Sequence, residues 1–272
     1  MRTDLITELQ DLRYLSWSLT RHSSGTAGSF LKAYEETPEG KVYYKMSCFY
    51  SNEGVIGHEC VNELIVDRLL TLLGIDHLHY RLIHALIQVE GREYETWVCA
   101  SDDYKRKGDT KLSLEMFYQI EKRAGESVLD FCIRKGWKKQ IYQMIVTDYL
   151  ILNRDRHGAN IEILRNHQRN TVRMATLFDH GLSLLFSCHT VEEIERADGL
   201  RDLPVQSFVG GRSVLKNLSL IPKEELPKLN ALTEADREYI LEGLEDILPE
   251  GLLMKLWEMI RQRYQYYETL CN

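Results

Sequence analysis

The stretch "ILNRDRHGANIEIL", residues 151–164, sets Asn153, Asp155, Arg156, His157 and Asn160 between two apolar runs. Asp155 and Asn160 stand five apart, and Asp179 follows 19 residues later in "TLFDHG", residues 176–181. An ordinary polar turn would account for any one of these side chains. The flanks relate them: "IEIL" (161–164) and "RMATLF" (173–178) read as two short strands, with "RNHQRN" (165–170) as the turn between them. A hairpin of that length returns Asp179 to the side of the 155–160 loop.

Three such groups around one point suit phosphoryl transfer from ATP. That reaction needs magnesium ligands, a cation on the phosphates and a carboxylate to orient the attacking hydroxyl. Asp155 would accept the hydroxyl proton, while Asn160 and Asp179 would hold Mg²⁺ through hard oxygen atoms. An Asp and an Asn at this spacing occur often by chance. The ordered set of Asp155, His157, Asn160, strand, turn, strand, Asp179 and Gly181 is far more specific.

"NRDRHGAN" followed by "FDHG" resembles the catalytic core of HipA-like serine/threonine kinases and the related phosphatidylinositol-kinase-like enzymes. The resemblance implies a two-lobed kinase fold with Asp155 as catalytic aspartate, Asn160 and Asp179 as metal ligands, and His157 in structural or catalytic support. Upstream it implies that Lys45, in "VYYKMS", is the ATP-binding lysine and that Glu63, on the helix after it, is its partner, with Glu59 one turn away as the fallback.

"SSGTAGSFLKA", residues 23–33, fits a phosphate-covering loop, because glycines and small side chains let backbone N–H groups approach an anion. Ser23, Ser24, Gly25, Thr26, Ala27 and Gly28 are its candidate contacts. In the resemblance, Ser23 or Ser24 is the autophosphorylation site. Trp97, Val98 and Cys99 end a strand at the lobe boundary, where a kinase hinge offers backbone groups to adenine.

Elsewhere, periodicity points to an α+β chain. Its first part, 1–100, reads as a small antiparallel-sheet lobe with one helix, and 101–272 as a larger, mainly helical lobe of the same catalytic domain. Residues 1–15, with Leu5, Leu9, Leu12 and Leu15 at steps of three and four, suit a helix or an edge element. "SWSLT", "GSFLKAY" and "KVYYKMSCFY" read as strands, with Pro38 and Gly40 turning a hairpin. Helical spacing from Glu59 to Leu73 ends at Gly74, a C-cap residue. "YRLIHALIQVEG" and "REYETWVCA" form a second hairpin about Glu90-Gly91. Ser127 with Asp130, and Thr233 with Asp236, open helices, Ile141 to Leu152 marks another apolar face, and 252–270 forms the last helix.

A net charge of −7 argues against a general nucleic-acid or anionic-membrane binder. Six cysteines without CxxC spacing read as reduced, mostly buried thiols. With neither an apolar leader nor a membrane-length apolar run, a cytoplasmic protein is expected. The chain is too short to include the extra amino-terminal domain of HipA, so a compact, stand-alone relative is expected and toxin behaviour does not follow. The implied partners are a protein substrate bearing Ser or Thr and an antitoxin or other regulator. Three alternatives stand beside this: a phosphatidylinositol or small-molecule kinase, a metal-dependent hydrolase using Asp155, His157, Asp179 and His180, and a pseudokinase that responds to nucleotide without turnover.

Overall fold

The turn residues act where the sequence places them. In the computed structural model, which describes residues 3–18, 30–50 and 52–272, strands β2 (Lys32–Thr37) and β3 (Gly40–Met46) pair across Pro38-Glu39. Two further strands, numbered below as β6 (Arg81–Val89) and β7 (Arg92–Asp102), pair across Glu90-Gly91. β3 joins β7, and the first strand, β1 (Leu5–Asp11), adds parallel to β6, giving the sheet order β1-β6-β7-β3-β2.

Residues 5–11 are therefore an edge strand rather than a helix. Leu9 is exposed, while Leu12 and Leu15 bury beneath the sheet and Leu5 packs against a different cluster, so the four leucines never share one face. "SWSLT" forms no strand over residues 16–18, and the strand expected from residue 28 begins at Lys32. "KVYYKMSCFY" is broken at Ser47-Cys48, after which β4 (Phe49–Tyr50) pairs with β5 (Gly54–Val55).

That break serves the helix that follows, α1 (Glu59–Leu73). The Ser47 hydroxyl accepts from the Cys60 N–H at 3.1 Å, and the Cys48 N–H donates to Glu59 Oε2 at 3.2 Å. The first bond satisfies a free amide of the helix N-terminus, and the second occupies a backbone N–H that a continuing strand would have used. Gly74 ends α1 in the left-handed conformation at φ 72°, with its N–H on the Leu70 and Thr71 carbonyls.

Beyond β7 the chain turns at 103–108 into β8 (Asp109–Ser113), then α2 (Leu114–Glu121), α3 (Val128–Arg134) and α4 (Lys138–Leu150). The Ser127 hydroxyl caps α3 by accepting from the Asp130 N–H. After a two-residue β9 (Asp155–Arg156), the hairpin read from the sequence forms as β10 (Glu162–Asn166) and β11 (Thr171–Met174), and β10 also pairs with β8. The remainder is α5 (Val191–Arg196), β12 (Gln206–Ser207), α6 (Val214–Leu218), α7 (Asp236–Leu241) and α8 (Glu250–Cys271). Asp236 accepts from the Thr233 N–H and hydroxyl, as the pair of residues suggested.

One apolar core fills the face of the sheet away from α1; a larger one runs from α1 through α4 to α8. Among the described residues no helix is long and apolar enough to cross a membrane. In the larger core the buried Arg263 of α8 donates to the carbonyls of Gly199 at 2.6 Å, Tyr149 at 2.9 Å and Arg201 at 3.0 Å. Replacing it by Met keeps the packing volume but strips donors from these carbonyls, at a cost on the order of 3 kcal/mol. Urea denaturation of Arg263→Met measures that loss. A change below about 1 kcal/mol would show that water or other donors replace the guanidinium.

Candidate active site

α1 is unusual in burying polar side chains along its middle: Asn62, Glu63, Asp67 and Arg68 are all enclosed. Buried polar groups need partners, and those of Glu63 define the site. Its Oε1 accepts from Lys45 Nζ of β3 at 3.0 Å, and its Oε2 accepts from the His180 N–H at 2.9 Å. The same ammonium is bonded to the Asp179 carboxylate. Asn62 donates its amide N–H groups to the carbonyls of Gly181 and Ser183, both at 3.1 Å, so adjacent residues of α1 hold the backbone that follows Asp179.

Asp179 sits at φ 61°, a left-handed conformation that Asp tolerates better than most side chains. Its N–H donates to the Tyr80 hydroxyl at 3.3 Å. Burial opposes the charge on Lys45, but the carboxylates of Asp179 and Glu63 outweigh it and hold the ammonium well above its usual range. Burial likewise works against ionisation of Asp179, yet Lys45 and Lys32 overcome it, so this carboxyl stays below the ordinary range. Burial pushes Glu63 up, with Lys45 and the His180 N–H pulling the other way.

The 153–160 loop is assembled on a second buried ion pair. Arg156, 1% exposed, bonds the Asp148 carboxylate of α4 at 2.8 Å and donates through Nη1 to the carbonyls of Phe178 at 2.8 Å and Asn160 at 3.3 Å. One guanidinium thus ties the residue before Asp179 to the end of the loop that carries Asp155. Asn153 bonds Asp148 through its amide and accepts the Asp155 N–H, while Asn160 donates to the Asp155 carbonyl at 3.0 Å. β12 pairs parallel with β9 beneath the loop. At Gly158 a Cβ would lie 2.6 Å from Glu115 Cβ and 3.2 Å from the Phe208 ring, so the turn closes only around glycine.

Asp155 is partly buried, and desolvation raises its carboxyl pKa, with Asp179 adding to the rise against the pull of His157. His157 accepts the Ala159 N–H at Nδ1, capping the short turn at 158–160, and keeps Nε2 3.7 Å from Asp155 Oδ2. The four catalytic candidates therefore form one connected unit. His180 lies behind it, fully buried, and its imidazole is driven well below its usual pKa by burial.

In front of Lys45 and Asp179 opens a cleft of about 210 Å³, lined also by Tyr80, Cys99, Ser101, Tyr104 and Phe178. Tyr104 and Phe178 stack with centroids 5.9 Å apart. Lys32, Lys105 and Lys111 add cations at its walls. Cys99 lines the cleft, but Val98 packs into the core on the opposite face of the sheet and Trp97 stacks on His84. The cleft wall continues along the chain through Ser101, Asp103, Tyr104 and Lys105, beyond the 97–99 segment. The alternation of the strand sends Val98 and Cys99 to opposite sides, whereas Trp97 shares the Cys99 side and lies further along the strand from the cleft. The Ser23–Gly28 loop lies outside the described residues.

The donor set fits a hard divalent cation. Asp179 is held ionised, and Asn160 spends its amide N–H on Asp155, which leaves a carbonyl-type oxygen as its ligand atom. Glu59, the fallback partner, instead bonds the Cys48 N–H. Arg156, Asp148, Asn62 and Tyr80 were not singled out for roles from the sequence. Arg156 and Asp148 carried a usable signal, a charged pair beside and within apolar runs; Asn62 and Tyr80 carried none.

No family model and no curated protein sequence matches the chain. Among solved structures, the proinflammatory kinase CtkA of Helicobacter pylori is similar at a TM-score of 0.60 and 15% identity, over 96% of each chain. HipA of Shewanella oneidensis, solved with HipB and operator DNA, is similar at a TM-score of 0.44 and 15% identity, over 93% of this chain and 59% of HipA. At such identity the likeness to CtkA is one of architecture, and on it this chain has a kinase-like α+β fold.

Proposed function

We propose that the protein is an ATP- and Mg²⁺-dependent kinase that phosphorylates Ser or Thr of a protein. The observation that carries this is the junction of Lys45, Glu63 and Asp179 at the mouth of a cleft, bound through Arg156 to the loop of Asp155 and Asn160. The cleft offers an apolar slot for a base and cations for phosphates.

Lys45 would neutralise phosphate oxygens, with Glu63 holding its ammonium in place. Asp155 would orient the acceptor hydroxyl and take its proton as the hydroxyl oxygen bonds to the γ-phosphorus and the bond to the β-phosphate oxygen breaks, releasing ADP. A raised carboxyl pKa suits that proton transfer, provided the group remains ionised at neutral pH. Asn160 and Asp179 would hold magnesium, which when bound neutralises charge on the transferring phosphoryl group. Arg156 acts as a positioning residue.

Support for a protein acceptor comes from the resemblance of "NRDRHGAN" and "FDHG" to HipA-like kinases. The same resemblance motivates autophosphorylation at Ser23 or Ser24 and a regulatory or antitoxin partner. Incubation with γ-labelled ATP and Mg²⁺, with protein, phosphoinositide and small-alcohol acceptors offered separately, followed by peptide mapping, tests acceptor class and self-modification together. Label passing only to lipid or small alcohols would overturn the protein-kinase assignment.

Asp155→Asn is expected to lower phosphoryl transfer by about 10²–10⁴-fold without lowering thermal stability. The folded pKa of Asp155 is raised above the ordinary 3.8, so its ionised form is a burden on the fold at neutral pH that Asn removes. In the wild type, transfer should fall as pH drops through that raised value. Wild-type turnover in the variant, or a large drop in its melting temperature at pH 7, would contradict this role.

Lys45→Met leaves Glu63 and Asp179 facing each other without a cation, at an expected cost of about 3 kcal/mol. Glu63→Gln should cost less, because Asp179 still holds the lysine. In a double-mutant cycle read by urea denaturation and nucleotide affinity, the losses should be non-additive by at least about 0.5 kcal/mol. Strict additivity would show that the two residues do not act as a pair.

A further inference from the structure

Asp67 lies on α1 one helical turn beyond Glu63 and faces the segment leading into β6. Its Oδ1 is 2.7 Å from His77 Nε2 and 3.0 Å from His79 Nδ1, and the three donor atoms lie within 4.8 Å of one another. Its Oδ2 accepts the Tyr80 N–H at 2.7 Å. His77 Nδ1 is 2.7 Å from the Ile75 carbonyl. A carbonyl only accepts, so Nδ1 carries the ring hydrogen, and a neutral His77 presents a lone pair at Nε2. That lone pair would face one on the carboxylate at hydrogen-bond distance, so either a second ring proton on His77 or a metal ion must lie between them.

We propose that Asp67, His77 and His79 form a zinc-type transition-metal site, distinct from the nucleotide cleft. Two imidazoles and a carboxylate are a borderline donor set that zinc favours over magnesium. The outer contacts are those that fix metal ligands: the Ile75 carbonyl sets the tautomer of His77, and the Tyr80 N–H orients the carboxylate. His79 is 74% exposed and opens onto a surface recess lined by Asp4, Arg68 and Arg81, which leaves a coordination position for water. The two arginines there are matched by Asp4 and Asp102. The metal would staple α1 to the Tyr80 segment, whose hydroxyl receives the Asp179 N–H.

The site does not depend on the kinase assignment and is tested by binding alone. The full chain, stripped by a chelator, is titrated with Zn²⁺ against a chromophoric competitor and with Co²⁺ as an optical probe. One equivalent should bind, and Zn²⁺ should raise the melting temperature. His79→Ala, at an exposed position, should fold like the metal-free wild type, bind at least tenfold more weakly and lose most of the zinc-induced shift. His77→Gln should behave alike. Cys271→Ser should retain the full equivalent, with no thiolate charge-transfer band in the wild-type Co²⁺ spectrum. Failure of the wild type to bind, undiminished binding by His79→Ala, or loss of binding in Cys271→Ser would overturn the site and leave His77 as a protonated partner of Asp67.

Discussion

A single ammonium holds the candidate site together. Lys45 Nζ stands between the carboxylates of Glu63 and Asp179, and the three groups come from a sheet, a helix and a loop. Two carboxylates this close repel unless a cation lies between them, and a buried lysine would lose its proton without them. Each member thus requires the other two. The consequence is a site whose charges are already arranged before any ligand arrives, which is the condition under which electrostatic stabilisation of a transition state is most effective.

α1 transmits that arrangement to the rest of the fold. Asn62 holds the backbone after Asp179, Arg68 donates to the carbonyls of Ile240 and Glu242 as well as to Asp4, and Asp67 gathers His77, His79 and Tyr80. A helix enclosed on nearly every side cannot rotate or slide without breaking several of these bonds together. Arg156 performs the same service below, coupling α4, the Asp155 loop and the residue before Asp179 through one buried guanidinium. Both are stiff connections built from polar groups that burial forbids to stay unpaired.

Much of the scaffold was legible along the chain. Glu59–Leu73 with its glycine cap, the hairpin about Glu90-Gly91 and the hairpin returning Asp179 all follow from local periodicity and turn chemistry, which operate within a few residues. Where the local reading failed or stayed open, the cause is shared. Leucine spacing at 5–15 suited a helix or an edge element, and the edge strand prevails because those side chains serve two cores and a solvent face. The run at 41–50 looked like one strand, but Ser47 and Cys48 are claimed by the first turn of α1. In both cases a partner distant in sequence outbid local preference.

For the candidate site, the residue types and their order along the chain, Lys45, Glu63, Asp155, Asn160 and Asp179, were set by the sequence itself, and they are the functional groups that the proposed chemistry needs. Which of them touch was a matter for the tertiary structure alone. Nothing local distinguishes Glu63 from Glu59 as the partner of Lys45; the register of α1 against β3 and the His180 N–H decides it. Nor does anything local show that Val98 turns away from the cleft that Cys99 lines, or that Arg156 braces both segments of the candidate site. Sequence specifies chemical capability, and contact between residues more than a hundred positions apart exists only once burial brings them together and forbids them to remain unpaired.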